Sequence, residues 1–137
     1  MFIQDKTNTK FKVCNTIRKF LMDNKTINLL VGNRIFPVIC PEQATQGDFI
    51  IYERGDYSQM KTKQGIYDQQ CSIYIYCYCS DYDTSQELAE QVYLTLQDVY
   101  NYKDPDNGII INHIDLENSI EDYAADKYIQ VLKFLVQ

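Results

Sequence analysis

The chain has 137 residues, 45% of them hydrophobic, which suits one compact domain and leaves no room for a second. Twelve tyrosines, no tryptophan, three prolines and five glycines exclude a disordered or fibrous chain. A formal net charge of −6 argues against a nucleic-acid-binding surface over the whole molecule.

The N-terminal MFIQDKTNTKFK lacks the apolar stretch of a signal peptide, and no apolar run approaches the ~20 residues that cross a bilayer. These features predict a protein made and kept in the cytosol, without a membrane partner. Five cysteines, an odd number with no secretion signal, read as reduced thiols.

Residues 10–24 carry Phe11, Cys14, Ile17, Phe20 and Leu21 at helical spacing, predicting an amphipathic helix. Thr26 is the expected cap of a short second helical turn through Ile27, Leu29 and Leu30, and Gly32 ends it. Arg34 to Ile39 reads as a short strand, and Pro37, having no N–H to donate, puts it at a sheet margin. CPEQATQGD is a loop and residues 49–55 a strand. Residues 56–65 form a long polar hairpin tip, and 66–79 the next strand. Asp83 to Asn101 predicts the second main helix, with Asp83 as N-cap, Gln86 three residues on, and Leu88, Val92, Leu96 (or Thr95) and Val99 as its stripe. KDPDNG breaks it, and GIIINHIDL and KYIQVLKFLV read as strands. This order predicts an α+β fold: one layered domain over 1–137, with a mainly antiparallel sheet of four to six strands packed by two main helices, about 10–24 and 84–101.

Residues 71–80, CSIYIYCYCS, test for chemistry. In a strand Cys71, Ile73, Ile75, Cys77 and Cys79 share one face, and Ser72, Tyr74, Tyr76 and Tyr78 the other. The first face is apolar, because a free cysteine packs as a small hydrophobe. The second is a tyrosine ladder suited to lie under a helix or against a partner. Zinc sites usually pair ligands as C-x₂-C on a turn, whereas C-x-C on a strand holds the two Cα atoms roughly 6.5–7 Å apart. Cys14 and Cys40 stand alone, and His113 is the single histidine, with no third group implied by spacing. The glycines are solitary, so no phosphate loop is present. The acidic pairs Glu121-Asp122 and Asp115-x-Glu117 read as solvated charges. No catalytic, metal or cofactor site is expected, and the chain reads as a non-enzyme.

Charge is unevenly divided. Residues 1–70 hold ten Lys/Arg against seven Asp/Glu, a balance of +3; residues 71–137 hold three against twelve, a balance of −9. Such a chain can offer unlike faces to its own copies.

Four stretches resemble the tail completion or tail terminator proteins of long-tailed phages and prophages. They are NLLVGNRIFPVICP; DFIIYERG; QQCSIYIYCYCSDYDTSQELAEQVYLTL with Tyr82, Leu88, Ala89 and Val92; and EDYAADKYIQVLKFLV. The resemblance spans about residues 11–136. It implies a structural virion protein at the head-proximal end of the tail, assembled in the host cytoplasm. Such a protein forms a homo-hexameric ring that caps the tail tube, ends elongation and joins tail to head. The implied partners are its own copies, the tail tube protein and a head-side connector or stopper, with DNA passing through the lumen without specific binding. The expected contact residues are those of the hairpin tip, Asp56, Tyr57, Ser58, Gln59, Met60, Lys61, Thr62, Lys63 and Gln64. Tyr74, Tyr76 and Tyr78 are expected as an interface or, preferably, a helix-covered aromatic face. Three other readings stay open: an adaptor using the tyrosine face, a neighbouring head–tail connector protein, and a thiol or metal protein centred on Cys71, Cys77 and Cys79.

Overall fold

The computed structural model describes residues 9–137, without the side chains of Ile66 and Tyr67. The reading of residues 1–8 as lacking a leader lies outside them. In chain order the elements are α1 (Val13–Asp23), α2 (Lys25–Val31), β1 (Ile35–Pro37), a 3₁₀ turn (Glu42–Ala44), β2 (Phe49–Thr62), β3 (Gly65–Cys79), α3 (Tyr82–Gln97), β4 (Tyr100–Lys103), β5 (Ile110–Ala124) and β6 (Lys127–Val136). The six strands run in the order β1-β2-β3-β6-β5-β4. Only β1 and β2 are parallel; the other neighbours are antiparallel. The expected α+β layer with a mainly antiparallel sheet is present, with three helices in place of two.

Helix α1 buries Val13, Thr16, Ile17 and Leu21, one stripe at helical spacing. Phe11, placed on that stripe from the sequence, precedes the helix and is 64% exposed. Asn24, not Thr26, caps α2: its extended backbone (φ −80°, ψ 119°) ends α1, and its side chain accepts from the Ile27 N–H at 2.9 Å. The Asn24 amide also donates to Thr95 Oγ1 at 2.6 Å, pinning the α1–α2 corner to α3. Gly32 closes α2 at φ 62°, where a side chain would be strained. The N-cap of α3 is Asp81, two residues before the expected Asp83; its carboxylate accepts from Thr84 N at 3.0 Å and Thr84 Oγ1 at 2.9 Å. Ser85, Leu88, Val92 and Leu96 are the buried face of α3.

These helical stripes pack on one face of the sheet. Val13, Ile17, Leu21, Ile27, Val31, Leu88, Val92 and Leu96 form a single apolar cluster with Cys71, Ile73, Ile75, Cys77, Cys79, Ile50, Tyr52, Leu132 and Phe134. The cysteine face of β3 is therefore the floor of the core. No helix packs on the tyrosine face, which corrects the expectation that a helix covers Tyr74, Tyr76 and Tyr78; these rings are half-buried among buried Phe49, Ile51 and Ile129. The physical reason is volume and polarity: Cys and Ile interdigitate densely with aliphatic helix stripes, whereas each Tyr hydroxyl needs a polar outlet.

β2 and β3 run on as a two-stranded ribbon where a loop was expected. Pairing continues from Tyr57↔Cys71 to Thr62↔Gly65, so only Lys63 and Gln64 turn the chain. β6 pairs with β3 only from Cys71 onward, leaving the outer ribbon beyond the sheet. It extends roughly 20 Å for six residues per strand.

Candidate assembly surface

The ribbon is anchored at its root. Register shifts between Arg54 and Tyr57, where β2 spends one extra residue on a bulge at Gly55 and Asp56. A side chain at Gly55 would place its Cβ 2.7 Å from Cε2 of Tyr74, so the ring lies directly on this glycine. The bulge turns Tyr57 to the helix side, edge-on to Phe11 at 5.0 Å between centroids. The Tyr57 hydroxyl accepts from Lys10 N at 3.0 Å and from Gln59 Nε2 at 2.8 Å, and donates to Gln69 Oε1. The Arg54 guanidinium sits 5.2 Å from the Phe11 ring and 5.7 Å from the Tyr57 ring. Lys10 is nearly buried, and its ammonium donates to the Ile110 carbonyl at 2.7 Å, tying the same root to β5.

The nine contact residues expected on this segment therefore divide. Asp56 lies in the bulge. Tyr57 and Gln59 are root anchors. Ser58 pairs with Gln70, and Met60 with Asp68, along an open groove of about 380 Å³. Lys61, Thr62, Lys63 and Gln64 form the exposed tip, where Thr62 Oγ1 accepts from Gln64 N at 3.2 Å and so braces the turn.

The helix-free face carries Tyr74, Tyr76 and Tyr78 between Glu53, Ile51 and Phe49 of β2 and Lys133, Val131 and Ile129 of β6. Phe49 and Tyr78 stack at 4.6 Å, Tyr74 and Tyr76 at 6.3 Å, and Lys133 Nζ stands 5.8 Å from the Tyr74 ring. Burial first, then the Glu53 carboxylate, pushes the Tyr76 hydroxyl pKa up. Burial and then Asp122 do the same at Tyr78. The raised pKa keeps both phenols protonated at neutral pH. At one end of the face Lys127 reaches the loop after β1, with its ammonium 3.4 Å from the Gln46 carbonyl and 5.8 Å from the Phe49 ring.

Two exposed features escaped the sequence. Val38 takes φ 65°, unusual for a β-branched residue, because Ile39 N donates back to the Pro37 carbonyl at 2.6 Å in a γ-turn. The turn leaves Val38 67% and Ile39 74% exposed beside the β1 edge. The second is the outer half of β5. β4 pairs only as far as His113, and from Asp115 to Ala124 every residue is exposed. A bulge between Leu116 and Asn118 hides the alternation that would have marked this stretch as a strand. Its neighbours are aromatic: Tyr123 and Tyr82 both pack on Tyr128, and Tyr82 and Gln130 donate to Glu121 Oε2, both at 2.8 Å. Those two hydrogen bonds, Gln130's first, hold the Glu121 carboxyl below its ordinary value.

The side chains singled out for chemistry lie apart. Cys71, Cys77 and Cys79 are buried in the core, and burial pushes Cys71 up to about 11, Cys79 to about 12 and Cys77 well above the ordinary thiol value. Thiols held protonated in this way are poor nucleophiles and poor metal ligands. His113 Nδ1 meets Asp115 Oδ2 at 2.8 Å on the surface. Among the described residues no group of three or more His, Cys, Asp or Glu is placed to hold a metal ion, and no helix is long and apolar enough to cross a membrane.

No family model matches the chain, and no curated protein does. Among solved structures, a chain from the virion of a native gene transfer agent (GTA) particle shares its fold. The TM-score is 0.73 over 88% of this chain and 89% of that one, at 14% sequence identity.

Proposed function

We propose that this chain is a structural virion subunit that closes as a ring on the head-proximal end of a phage tail tube, ends tube elongation and joins tail to head. The observation that carries the reading is the likeness to a virion chain along nearly nine-tenths of both chains, which matches a whole subunit and not a shared hairpin. The tail-terminator resemblance of the four sequence stretches supports the specific role. Two features of the surface support a ring: a polar ribbon standing clear of the body, and sheet edges that differ from one another. Unlike edges favour head-to-tail contacts, which close when the rotation per subunit divides the circle. The proposed role is non-catalytic, and the acidic balance of residues 71–137 would let DNA slide past.

The test is native mass across a wide concentration range in reductant, alone and with polymerised tail tubes. A closed six-subunit species, free or on tube ends, is the expected result. A monomer under both conditions overturns the reading and favours an adaptor.

A further inference from the structure

We propose that the acidic outer edge of β5 receives the tip of the β2–β3 ribbon from a second copy of this chain. The inference rests on the ring reading above and names the surfaces that would mate in it.

The receiving edge is a strand without a neighbour. Among the described residues nothing pairs with the outer side of β5 beyond His113. A long exposed strand edge is a template for another chain, and this one also exposes apolar side chains, with Leu116, Ile120 and Tyr123 at 39%, 59% and 56%. The edge is also one-signed. Asp115, Glu117, Glu121, Asp122 and Asp126 lie between residues 114 and 126 with no Lys or Arg among them. One basic side chain answers from the next strand, Lys133 to Glu117 at 3.3 Å.

The ribbon tip has the complementary character. Lys61 and Lys63 flank Thr62 with no acid between Asp56 and Asp68, and among the described residues neither lysine has a carboxylate within ion-pair distance. Topology settles whose edge the tip can reach. Cys71, Val136 and Ile114 pair in one row across the sheet. From that row the ribbon runs outward, and the acidic stretch of β5 runs back the other way. A tip cannot fold onto its own β5, so the occupant is another copy, and the contact is head to tail.

The experiment uses the full chain in four forms: wild type, Lys61→Glu/Lys63→Glu, Asp115→Lys/Asp122→Lys, and the quadruple variant. Each double reversal is expected to raise the concentration for half-assembly at least tenfold at an unchanged melting temperature, and the quadruple variant to recover most of that loss. In the wild type, carbodiimide should join Lys61 or Lys63 of one copy to a β5 carboxylate of another, with loss of water, in assembled species only. Rings that form normally in both double variants, or links from Lys61 and Lys63 solely to other segments, overturn the docking while leaving the ring intact. A wild type that never assembles overturns the ring reading itself.

Discussion

Asp104 shows how much one carboxylate can hold. Its side chain is fully buried, yet Thr16 Oγ1 donates to it at 2.5 Å, Lys19 Nζ at 2.8 Å and the Asp106 N–H at 2.8 Å. Burial alone would raise its pKa; the hydrogen bonds from Lys19, Thr16 and Asp106 outweigh burial and hold it at about 2. The same lysine also reaches Asp106, and the Asn107 amide donates to Thr16 Oγ1, so the turn after β4 is bound to α1 by four contacts. The sign follows from linkage: the contribution is complete above the ordinary Asp range near ~4 and is lost as pH falls from there through about 2. Asp104→Asn should cost about 2 kcal/mol in urea melts at neutral pH and show a smaller loss than wild type on acidification. At the same scale, Cys77→Ser places a hydroxyl in the fully buried apolar floor and should cost about 1–3 kcal/mol, whereas Cys77→Val should be tolerated. Equal effects of the two substitutions in thermal melts would mean that the thiol does more than pack.

At the scale of elements, the hydrophobic periods were readable and their interruptions were not. The stripe Leu88, Val92 and Leu96, the end of α2 at Gly32 and the full extent of β6 follow from local pattern alone, whereas Val99 lies past the helix end at Gln97 and Tyr100 and Asn101, read as helix, begin β4. The caps moved by two residues because Asn24 and Asp81 serve corners fixed by tertiary contacts, Asn24 to Thr95 in one case and Ser80 N to Asp48 in the other. The ribbon read as a loop because its residues are polar on both sides, so no alternation survives to mark a strand. The bulges at Gly55–Asp56 and Glu117 broke the period again. The first bulge gives a sharp test. Gly55→Val should cost about 1–3 kcal/mol by driving Tyr74 off the backbone, and Tyr74→Ala should recover part of that loss in a double-mutant cycle. Additive losses would mean that the glycine serves the turn of the strand and not the ring above it.

For the whole molecule, the choice of buried face decides what remains outside. Sequence showed two faces on β3 but not which one the helices take, because that depends on the volume of stripes distant in the chain. With the cysteine face inward, the tyrosine face lies away from the helices, and the ribbon tip and the β5 edge are exposed. Lys61→Glu/Lys63→Glu should therefore impair ring assembly, read by native mass, and leave the melting temperature unchanged; a large fall in melting temperature would show that the tip supports the body.

The ribbon also sets a timescale. Two strands without a third neighbour are marginal in water, and here the body braces the root, through Lys10 on Tyr57 and Gln137 on Gln70. Opening beyond that root is expected to be local and frequent in a free subunit. In the proposed ring, docking would pay an ordering cost once per contact; a lone pair of subunits would recover it at one junction, whereas each member of a closed circle would be held at two. On the proposed ring reading, early encounters should dissolve and completed circles persist. Amide protons at 58–62 should exchange quickly in the free protein and slow down together only when the circle is complete.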